Sequence, residues 1–434
     1  MDIFHQRLMV HAATIDELLS DDFESLPGQK GDAELAARRL AAWCQSCASG
    51  DWSLFGQRLK RDGLTFGQVL SRFATVRRKA SASPPVWLDD AIWIEAALQS
   101  PVKIEKQIMM LDEGEPCAFE HLFAPAVEKA EALLWSGIDR RAYDNLNNFA
   151  RNSLRHSLLS ELSNLSAPAL YERFSKTRKI TGISLDAVKS QQNVSTANYD
   201  QFVAGMKAGG FRSLFEEKPI LLRLIATVTR QWIDTTRELI LRFDADRATI
   251  RQAILQSARD SRVAKIEGEL SDPHNGGHSV QIITFEDGSR VIYKPKDLRL
   301  DVVWQNMIER FNQAKPPVKL KAMRAISRDG YGWTEFIDHM GCGDKVDFKT
   351  FFRRAGAWLA LFHVFATSDM HQENMIAFGN DPVPIDLETI LQANAEVLEA
   401  QEPEMLAYNA AIEIVANSVM AVGLLPAYGR SPDN

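Results

Sequence analysis

The stretch Thr367–Ile390, TSDMHQENMIAFGNDPVPIDLETI, limits more than any other what this chain can fold into. A polar loop comes first, followed by a short apolar run, a turn at Gly379-Asn380 and a second apolar run, Val383-Pro384-Ile385. Two short apolar runs around a Gly-Asn turn are typical of paired strands. The stretch therefore predicts a small strand pair with a polar loop before it and two acidic residues after it.

Both flanks of the predicted strand pair carry side chains that can bind metal ions. Asp369, His371 and Asn374 precede it in the spacing Asp-x-His-x-x-Asn, and Asp386 and Glu388 follow it. Phosphoryl transfer from ATP needs an Asp that orients or deprotonates the attacking hydroxyl, and oxygen ligands that hold Mg²⁺ against the phosphates. Each residue alone is more typical of a solvated loop, whereas the five together predict a catalytic loop and a metal-binding acid pair.

The length, charge and cysteine content of the chain argue against several functional classes. Its 434 residues are enough for two or three domains, and a net charge of -7 argues against general nucleic-acid binding. The N-terminus lacks the basic start and continuous apolar core of a signal peptide, and no apolar run approaches the roughly 18 residues of a membrane span, so we expect a cytoplasmic protein. The lone Cys44-Gln-Ser-Cys47 is interpreted as two half-buried thiols on a helix rather than a zinc or redox site.

In residues 1 to about 265, apolar residues recur at the spacing expected for amphipathic helices. Apolar residues recur at three- and four-residue intervals in Ala33–Cys47, Trp87–Leu98 and Ala126–Leu134. A longer apolar stripe starts at Pro219, a residue well suited to the first turn of a helix. The first half of the chain is therefore predicted to be mainly helical.

The spacing changes near Glu267 to that of strands and turns. The predicted order is a hairpin ending in Lys294, a helix, a second hairpin and an apolar helix, followed by the polar loop and the acid pair. This is the order of a two-lobed kinase, whose small lobe supplies a Lys for the nucleotide phosphates. The predicted segments are Ser279–Phe285 and Arg290–Tyr293, Leu300–Phe311, Lys319–Ile326 and Gly332–Ile337, and Phe348–Phe365.

The predicted fold class is α+β, with a helical region followed by a two-lobed, lipid-kinase-like domain. The helical region covers residues 1–265, the small lobe 266–340, and the beginning of an incomplete large lobe 341–434. A Gly-rich phosphate loop of the GxGxxG kind is missing, and Gly276-Gly277 is its only candidate. Glu309 on the first helix is a possible partner for Lys294, although an exposed surface position is more common for such a residue.

Beyond these general patterns, the chain resembles one family. The Asp-x-His-x-x-Asn spacing is similar to the catalytic loop of lipid-kinase-like enzymes, and Ser271–Pro426 resembles the dehydratase domain of class II lanthipeptide synthetases, the LanM type. The resemblance rests on separated motifs in a matching order. These are SDPHNGGHSV (Ser271–Val280), VIYKPK (Val291–Lys296), GYGWTEFI (Gly330–Ile337), SDMHQEN (Ser368–Asn374), PIDLETI (Pro384–Ile390) and VMAVGLLP (Val419–Pro426).

The resemblance implies a two-step reaction on a ribosomally made precursor peptide. The family transfers phosphate from ATP to Ser and Thr, and then eliminates it to leave dehydroamino acids. Carried over by motif, Lys294 would contact the ATP phosphates and Asp369 would activate the hydroxyl, with His371 beside it. The residues implied for Mg²⁺ are Asn374, Asp386 and Glu388.

For the elimination step, the resemblance implies Asp272 and His274. Without the family, Asp272-Pro273-His274 is typical of an ordinary polar turn. Complete members are longer and carry further elimination residues and a cyclase, so we expect a truncated or split enzyme, or a cut piece of one, that stalls on phosphopeptide. A separate C-terminal half or cyclase is then an expected partner.

Two other functions stay open from the sequence. The first is a phosphotransferase with only the kinase step. The second is a non-catalytic remnant that binds the leader segment of the precursor through its helical half. The set of Lys294, Asp369, Asn374 and Asp386 favours an enzyme, because binding alone does not require these residues.

Overall fold

The computed structural model describes residues 2–26, 28, 32–100, 117–177, 197–257, 260–268, 272–391 and 403–426. The chain divides into two compact units. Unit 1 comprises Met1–Gly137 and Arg155–Arg237, and unit 2 comprises Ile138–Leu154 and Glu238–Asn434. Helices and antiparallel sheets both occur, so the predicted α+β class is confirmed.

Several helices of the first half begin where capping residues satisfy the first backbone N–H groups. Thr14 and Thr65 each form a capping box with the third residue of the following helix. Asp51 accepts hydrogen bonds from two backbone N–H groups of the next helix. These helices are α1 Ile3–His11, α2 Ile15–Leu19, α3 Asp32–Ala48, α4 Trp52–Arg61, α5 Phe66–Phe73, α6 Trp87–Leu98, α7 Glu120–Trp135, α8 Arg140–Asp144, α9 Asn148–Thr177, α10 Ala197–Gly205, α11 Phe211–Glu217 and α12 Pro219–Thr249.

Most of the predicted helices of this region are confirmed, with two differences. Helix α7 begins five residues before Pro125, whereas the sequence suggested a start after it. A strand pair was also missed, because β1 Phe23–Ser25 and β2 Val76–Arg78 have only three residues each and pair antiparallel. The two thiols lie on α3 as predicted, with Cys44 buried and Cys47 partly buried.

Unit 2 contains a five-stranded antiparallel sheet in the order β3-β4-β5-β7-β6. The predicted first hairpin is confirmed as β4 and β5, joined by a turn in which Gly288 has a φ of 83°. The edge strand β3 was not predicted. The strands are β3 Val263–Glu267, β4 Gln281–Phe285, β5 Arg290–Lys294, β6 Ala325–Arg328 and β7 Tyr331–Glu335.

The helix after β5 is α13 Arg299–Gln313, which confirms the predicted helix. The second hairpin is shorter than predicted, because only Ala325–Arg328 of its first half is a strand. The preceding segment pairs with a side chain of α13 instead. Asn312 donates to Leu320 O at 2.7 Å and accepts from Leu320 N at 3.0 Å. Both backbone groups of Leu320 are therefore satisfied without a strand partner.

An aromatic core lies under the predicted catalytic loop. Helix α14 Lys345–Val364 begins at Asp344, whose side chain caps its first turn. Trp358 and Phe362 of this helix are buried and stack with Trp304 of α13 at ring-centroid distances of 6.0 and 5.8 Å, and with each other at 5.3 Å. The same cluster contains residues of the polar stretch and of the last short helix, namely Met370, Leu387, Ile390 and Val422.

The predicted strand pair of the opening stretch is confirmed. Strands β8 Met375–Phe378 and β9 Asp381–Pro384 pair antiparallel around Gly379, which has a φ of 60°. Trp358 Nε1 donates to Pro382 O at 2.8 Å and so attaches the pair to α14. A helix, α15 Pro403–Ala416, and a 3₁₀ turn at Val419–Val422 follow. None of the helices in the described ranges is long and apolar enough to cross a membrane.

Candidate functional site

The predicted catalytic loop runs directly from the end of α14 and is held in place by backbone contacts. Asp369 has a φ of 62°, in the left-handed region that non-glycine residues seldom adopt. Its carbonyl accepts from Asn374 Nδ2 at 2.8 Å, and the next residue, Met370, donates its N–H to Val422 O at 2.8 Å. These two hydrogen bonds fix the strained backbone on either side of the Asp369 side chain.

A glycine in the last quoted motif lies against this loop. Gly423 has a φ of 83°, and a Cβ there would lie 3.2 Å from Met370 N and 3.6 Å from Asp369 N. Both its conformation and its close approach therefore require glycine. The motif Val419–Pro426 thus supports the catalytic loop through its backbone.

The side chains of the loop are open to solvent. Asp369 and His371 side chains are 57% and 43% exposed, and His371 Nε2 lies 3.4 Å from Asp369 Oδ1. His371 Nδ1 also accepts from Glu373 N at 3.2 Å. An exposed carboxylate beside an imidazole can receive a proton from a substrate hydroxyl.

The acid pair after β9 lies next to the loop and binds one lysine. Ile385 N donates to Asn374 O at 3.0 Å, which connects the loop to the residue before Asp386. Lys296 Nζ donates to Asp386 Oδ1 at 2.9 Å and to Glu388 Oε2 at 2.8 Å. The two carboxylates therefore converge on a single cation.

Burial and charge act in opposite directions on this cluster. Burial by itself would raise the pKa of Asp386, but the charge and hydrogen bond of Lys296 lower that pKa overall. Burial would likewise lower the pKa of Lys296, yet the hydrogen bonds to Glu388 and Asp386 and the charges of these two carboxylates raise that pKa overall. Asp386 and Lys296 are therefore both held in their charged forms.

Lys294, the lysine predicted for the nucleotide phosphates, is buried at the end of β5. Its side chain is only 6% exposed, and Nζ donates to Ile385 O at 2.6 Å. Burial lowers the pKa of Lys294, and the charges of Asp301 and Asp386 oppose this only in part. Lys294 thus attaches the five-stranded sheet to the segment that leads into the acid pair.

Sequence reasoning missed Asp301, a buried carboxylate close to both lysines. It lies in the first turn of α13 and is 6% exposed, and its Oδ1 has no hydrogen-bond partner among the described residues. Burial raises the pKa of Asp301, although the charges of Lys294 and Lys296 oppose this. The sequence could have indicated its burial, because Asp301 precedes the buried Trp304 and Ile308 at helical spacing and so lies on the same face of α13.

Glu309 is exposed, as the preferred interpretation of the sequence had it. Its carboxylate accepts from Gln305 Nε2 at 2.8 Å on the same helix. Of the carboxylates whose charges act on Lys294, Asp301 in the first turn of α13 has the largest effect, followed by Asp386 and Glu388.

The predicted elimination residues lie on a separate hairpin. Asp272 and His274 are exposed, and His274 pairs with His278 through two backbone hydrogen bonds of 2.8 and 2.9 Å. Asn275, Gly276 and Gly277 turn the chain between them with positive φ. Among the described residues, no hydrogen bond or ion pair joins the side chains of Asp272 or His274 to the catalytic loop or the acid pair.

This hairpin is attached to α12 through His278. Its Nε2 lies 2.6 Å from Glu238 Oε2, and its Nδ1 lies 2.9 Å from Asn275 O. Arg242 bonds both Glu238 and the hydroxyl of Tyr293, the residue before Lys294. A chain of polar contacts therefore runs from the hairpin to strand β5.

The donor set of the acid pair fits a magnesium ion. Mg²⁺ prefers oxygen ligands, and the pair offers two converging carboxylates, while Asn374 is joined through its backbone to Ile385, the residue before Asp386. Since Asn374 Nδ2 is engaged with Asp369 O, its amide oxygen is the group left for a cation. The described residues contain no cluster of three or more His, Cys, Asp or Glu suited to a metal, so Asn374 or water would complete the coordination.

Two comparisons with known proteins agree with the motifs. Residues 219–433 match the family DUF4135, described as a domain of unknown function. The chain is also 24% identical over 228 residues to the lacticin 481/lactococcin biosynthesis protein LcnDR2 of Lactococcus lactis subsp. lactis. The aligned part covers 50% of this chain and 24% of that protein, so the chain spans about a quarter of this relative's length. The resemblance to LanM-type lanthipeptide synthetases is confirmed by these matches.

Proposed function

We propose that the chain phosphorylates Ser and Thr of a precursor peptide. The premises are the match of residues 219–433 to DUF4135 and the resemblance to LanM-type lanthipeptide synthetases. The phosphoryl donor is ATP with Mg²⁺. The observation that carries this proposal is the joining of the Asp369 loop to an acid pair that converges on one cation. Base and metal ligands are the parts that phosphoryl transfer needs side by side.

The chain's own residues supply positioning and charge. When bound, Mg²⁺ and ATP supply the transferable phosphoryl group and neutralise its charge. Asn374, Asp386 and Glu388 would hold the metal, and the two lysines, Lys294 and Lys296, add positive charge nearby. Asp386 and Lys294 are held in place by hydrogen bonds before the reaction, so these two groups need little rearrangement during it.

Asp369 acts on the substrate hydroxyl. Its exposed carboxylate orients the O–H group and takes the proton as the hydroxyl oxygen bonds to the γ-phosphorus of ATP, while the bond from that phosphorus to the leaving ADP oxygen breaks. The rigid, left-handed backbone at Asp369 fixes the direction of this carboxylate. His371, 3.4 Å away, supports the charge of Asp369 while the proton is transferred.

We further propose that unit 2 is arranged as a lipid-kinase-like pair of lobes. The five-stranded sheet with α13 corresponds to a small lobe that carries Lys294. Helix α14, the catalytic loop and the β8–β9 pair correspond to the start of a large lobe. The subsequent elimination of phosphate is assigned to the hairpin with Asp272 and His274.

The test is mass spectrometry of a Ser/Thr-containing precursor peptide treated with the protein, ATP and Mg²⁺. We expect a gain of phosphoryl mass, or loss of water where elimination follows. Asp369→Asn should abolish both products, whereas the control Asp329→Asn, at an exposed turn, should leave them unchanged. Unchanged peptide with the wild-type protein, or full activity in Asp369→Asn, would contradict the proposal.

The final peptide product also distinguishes a dehydratase from a phosphotransferase that performs only the kinase step. A phosphotransferase with only the kinase step leaves phosphopeptide as the final product at all times. A dehydratase converts added phosphopeptide to the dehydrated form, and Asp272→Asn should slow this conversion without slowing phosphorylation.

Unit 1 contains a cavity that favours a second role, binding of the leader segment. The cavity has a volume of ≈ 720 Å³ and is lined by apolar Phe4, Leu8 and Phe215 together with the charged residues Arg7, Arg212, Asp2 and Glu216. Apolar walls with a few charged groups suit a peptide that carries apolar and charged side chains. Arg7→Glu should weaken binding of a labelled leader peptide in fluorescence anisotropy, and the exposed Arg38→Glu should not.

A further inference from the structure

Lys296 lies in the candidate site, although no role was predicted for it from the sequence. It belongs to the VIYKPK motif, two positions after Lys294, and Pro295 between them ends the regular strand pairing. Its ammonium donates to Asp386 Oδ1 at 2.9 Å and to Glu388 Oε2 at 2.8 Å. Two carboxylate oxygens therefore bind the same ammonium group.

The two lysines of the motif differ in what they can do. Lys294 is buried and its Nζ is bonded to the backbone oxygen of Ile385. The side chain of Lys296 is 35% exposed, and both of its carboxylate partners can also be reached from solvent. Lys294 is therefore placed as a structural anchor, whereas Lys296 can leave its position without opening the core.

We propose that Lys296 is an exchangeable counter-ion of the acid pair, which occupies the position of the divalent cation until the cation displaces it. This inference rests on the proposed function, because it takes Asp386 and Glu388 as metal ligands. A Mg²⁺ ion binds carboxylate oxygens at roughly 2.0–2.1 Å, closer than the ammonium does. The same two oxygens cannot hold both cations, since their charges repel at this separation.

Two measurable consequences follow from competition for one position. Removal of the lysine charge strengthens binding of a divalent cation in the absence of nucleotide, because no resident cation has to be displaced. It also destabilises the metal-free protein, since two carboxylates are left close together without a counter-ion. Added metal then restores the lost stability, because it binds the folded state.

The experiment measures Mn²⁺ binding to the full chain without nucleotide, by electron paramagnetic resonance. Lys296→Gln should tighten Mn²⁺ binding about fivefold or more. Lys296→Arg keeps the charge and can bond both carboxylates, so its affinity for Mn²⁺ should equal or fall below that of wild type. Mn²⁺ should also raise the melting temperature of Lys296→Gln by more than it raises that of wild type.

Lys265→Gln is the matched control for the loss of one positive charge. Lys265 is in the same unit, on β3, and its Nζ lies 2.7 Å from Glu267 Oε1 in an exposed ion pair. Its affinity for Mn²⁺ should stay within about twofold of wild type, as expected for a distant, screened charge. An equal gain in Lys265→Gln and Lys296→Gln would overturn the inference, as would unchanged or weaker binding in Lys296→Gln.

Asp386→Asn separates failure of this inference from failure of the proposed function. If Asp386→Asn leaves Mn²⁺ binding unchanged, the acid pair is not the metal site and both proposals fall. If Asp386→Asn weakens binding while Lys296→Gln has no effect, only the exchange of Lys296 is wrong. Weaker binding in Asp386→Asn together with tighter binding in Lys296→Gln supports both.

Discussion

Asp386 accepts from Lys296 at 2.9 Å and has a lowered pKa, so a charged carboxylate is available in the folded protein at neutral pH. Asp301 is different, because its carboxylate is buried and its pKa is raised. Two aspartates that act on the same lysines are therefore held in opposite electrostatic environments. Separated pKa values of this kind are typical of functional sites.

At the scale of single residues, a substitution of Asp386 tests its proposed role as a metal ligand. Asp386→Ala should weaken binding of a non-hydrolysable ATP analogue with Mg²⁺ by about tenfold or more, since loss of even an indirect metal contact commonly costs that much. Isothermal titration calorimetry measures the affinity, and circular dichroism checks that the variant is folded. Equal affinity of wild type and variant in the presence of Mg²⁺ would remove Asp386 from the site.

A second prediction concerns the pH dependence caused by Asp301. Its pKa is raised in the folded state, so folding stability falls as pH rises from its ordinary value of 3.8 through the raised value. Asp301→Asn has no carboxyl group to ionise at this position, so its folding stability does not fall in this way as pH rises. The free energy of unfolding of the variant relative to wild type should therefore increase from about pH 4 to about pH 7.

Urea denaturation of both proteins at the two pH values measures this difference. Asp329→Asn, at an exposed turn, is the control and should show no such trend. A difference that shrinks as pH rises would show that Asp301 is stabilised as a carboxylate in the folded protein.

At the scale of elements, short segments far apart in sequence hold the catalytic loop. The 3₁₀ turn Val419–Val422 contributes the carbonyl that binds Met370 N, and Gly423 directly follows it. The strand pair β8–β9 is attached to the loop from the other side through Asn374 and Ile385. The position of Asp369 is therefore determined by two elements besides its own.

Gly423→Ala tests this support. A side chain there is strained at a φ of 83° and meets Met370 N at 3.2 Å, so we expect a loss of about 1–2 kcal/mol in the free energy of unfolding and a larger loss of activity. Gly356→Ala is the control, because Gly356 lies within α14 and a Cβ there meets no atom within 4 Å. It should be stabilising by about 0.5–1 kcal/mol, as alanine favours helices.

Within the part of the chain that the structure describes, His278 is a side-chain anchor of the hairpin that carries Asp272 and His274. His278→Ala removes the contacts with Glu238 and Asn275, so backbone amides of residues 272–278 should exchange faster with solvent in hydrogen-exchange mass spectrometry. The exposed His339→Ala should leave this exchange unchanged. Unaltered exchange in His278→Ala would show that the two backbone hydrogen bonds suffice to order the hairpin.

At the scale of the whole molecule, the proposed function places the nucleotide in unit 2. Mg²⁺ with a non-hydrolysable ATP analogue should slow hydrogen exchange in Arg290–Lys294, Arg299–Gln313 and Met375–Phe378. Peptides of α3 to α5 in unit 1 should exchange as before. Asp386→Ala serves as the control, because it should abolish the protection, and protection confined to unit 1 would contradict the assignment.

Much of unit 2 could be predicted from the sequence, because its elements are specified locally. Turn residues at Gly288, Gly330 and Gly379 need positive φ, and the segments between them alternate or repeat with the periods of strands and helices. The strand pair β8–β9 was predicted for the same reason, and it fixes the positions of the proposed catalytic loop and acid pair that flank it.

Only the tertiary structure decided which groups pair. The bond from Lys296 to Asp386 spans 90 residues, and the bond from Lys294 to Ile385 spans 91. Local propensity carries no information about such contacts, because they depend on how the sheet, α13 and the loop pack together. The same packing buries Asp301 beside the lysines and brings Gly423 against Asp369. The sequence thus determined the elements and the kinds of chemical group, while the fold chose the partners and through them the charge of each group.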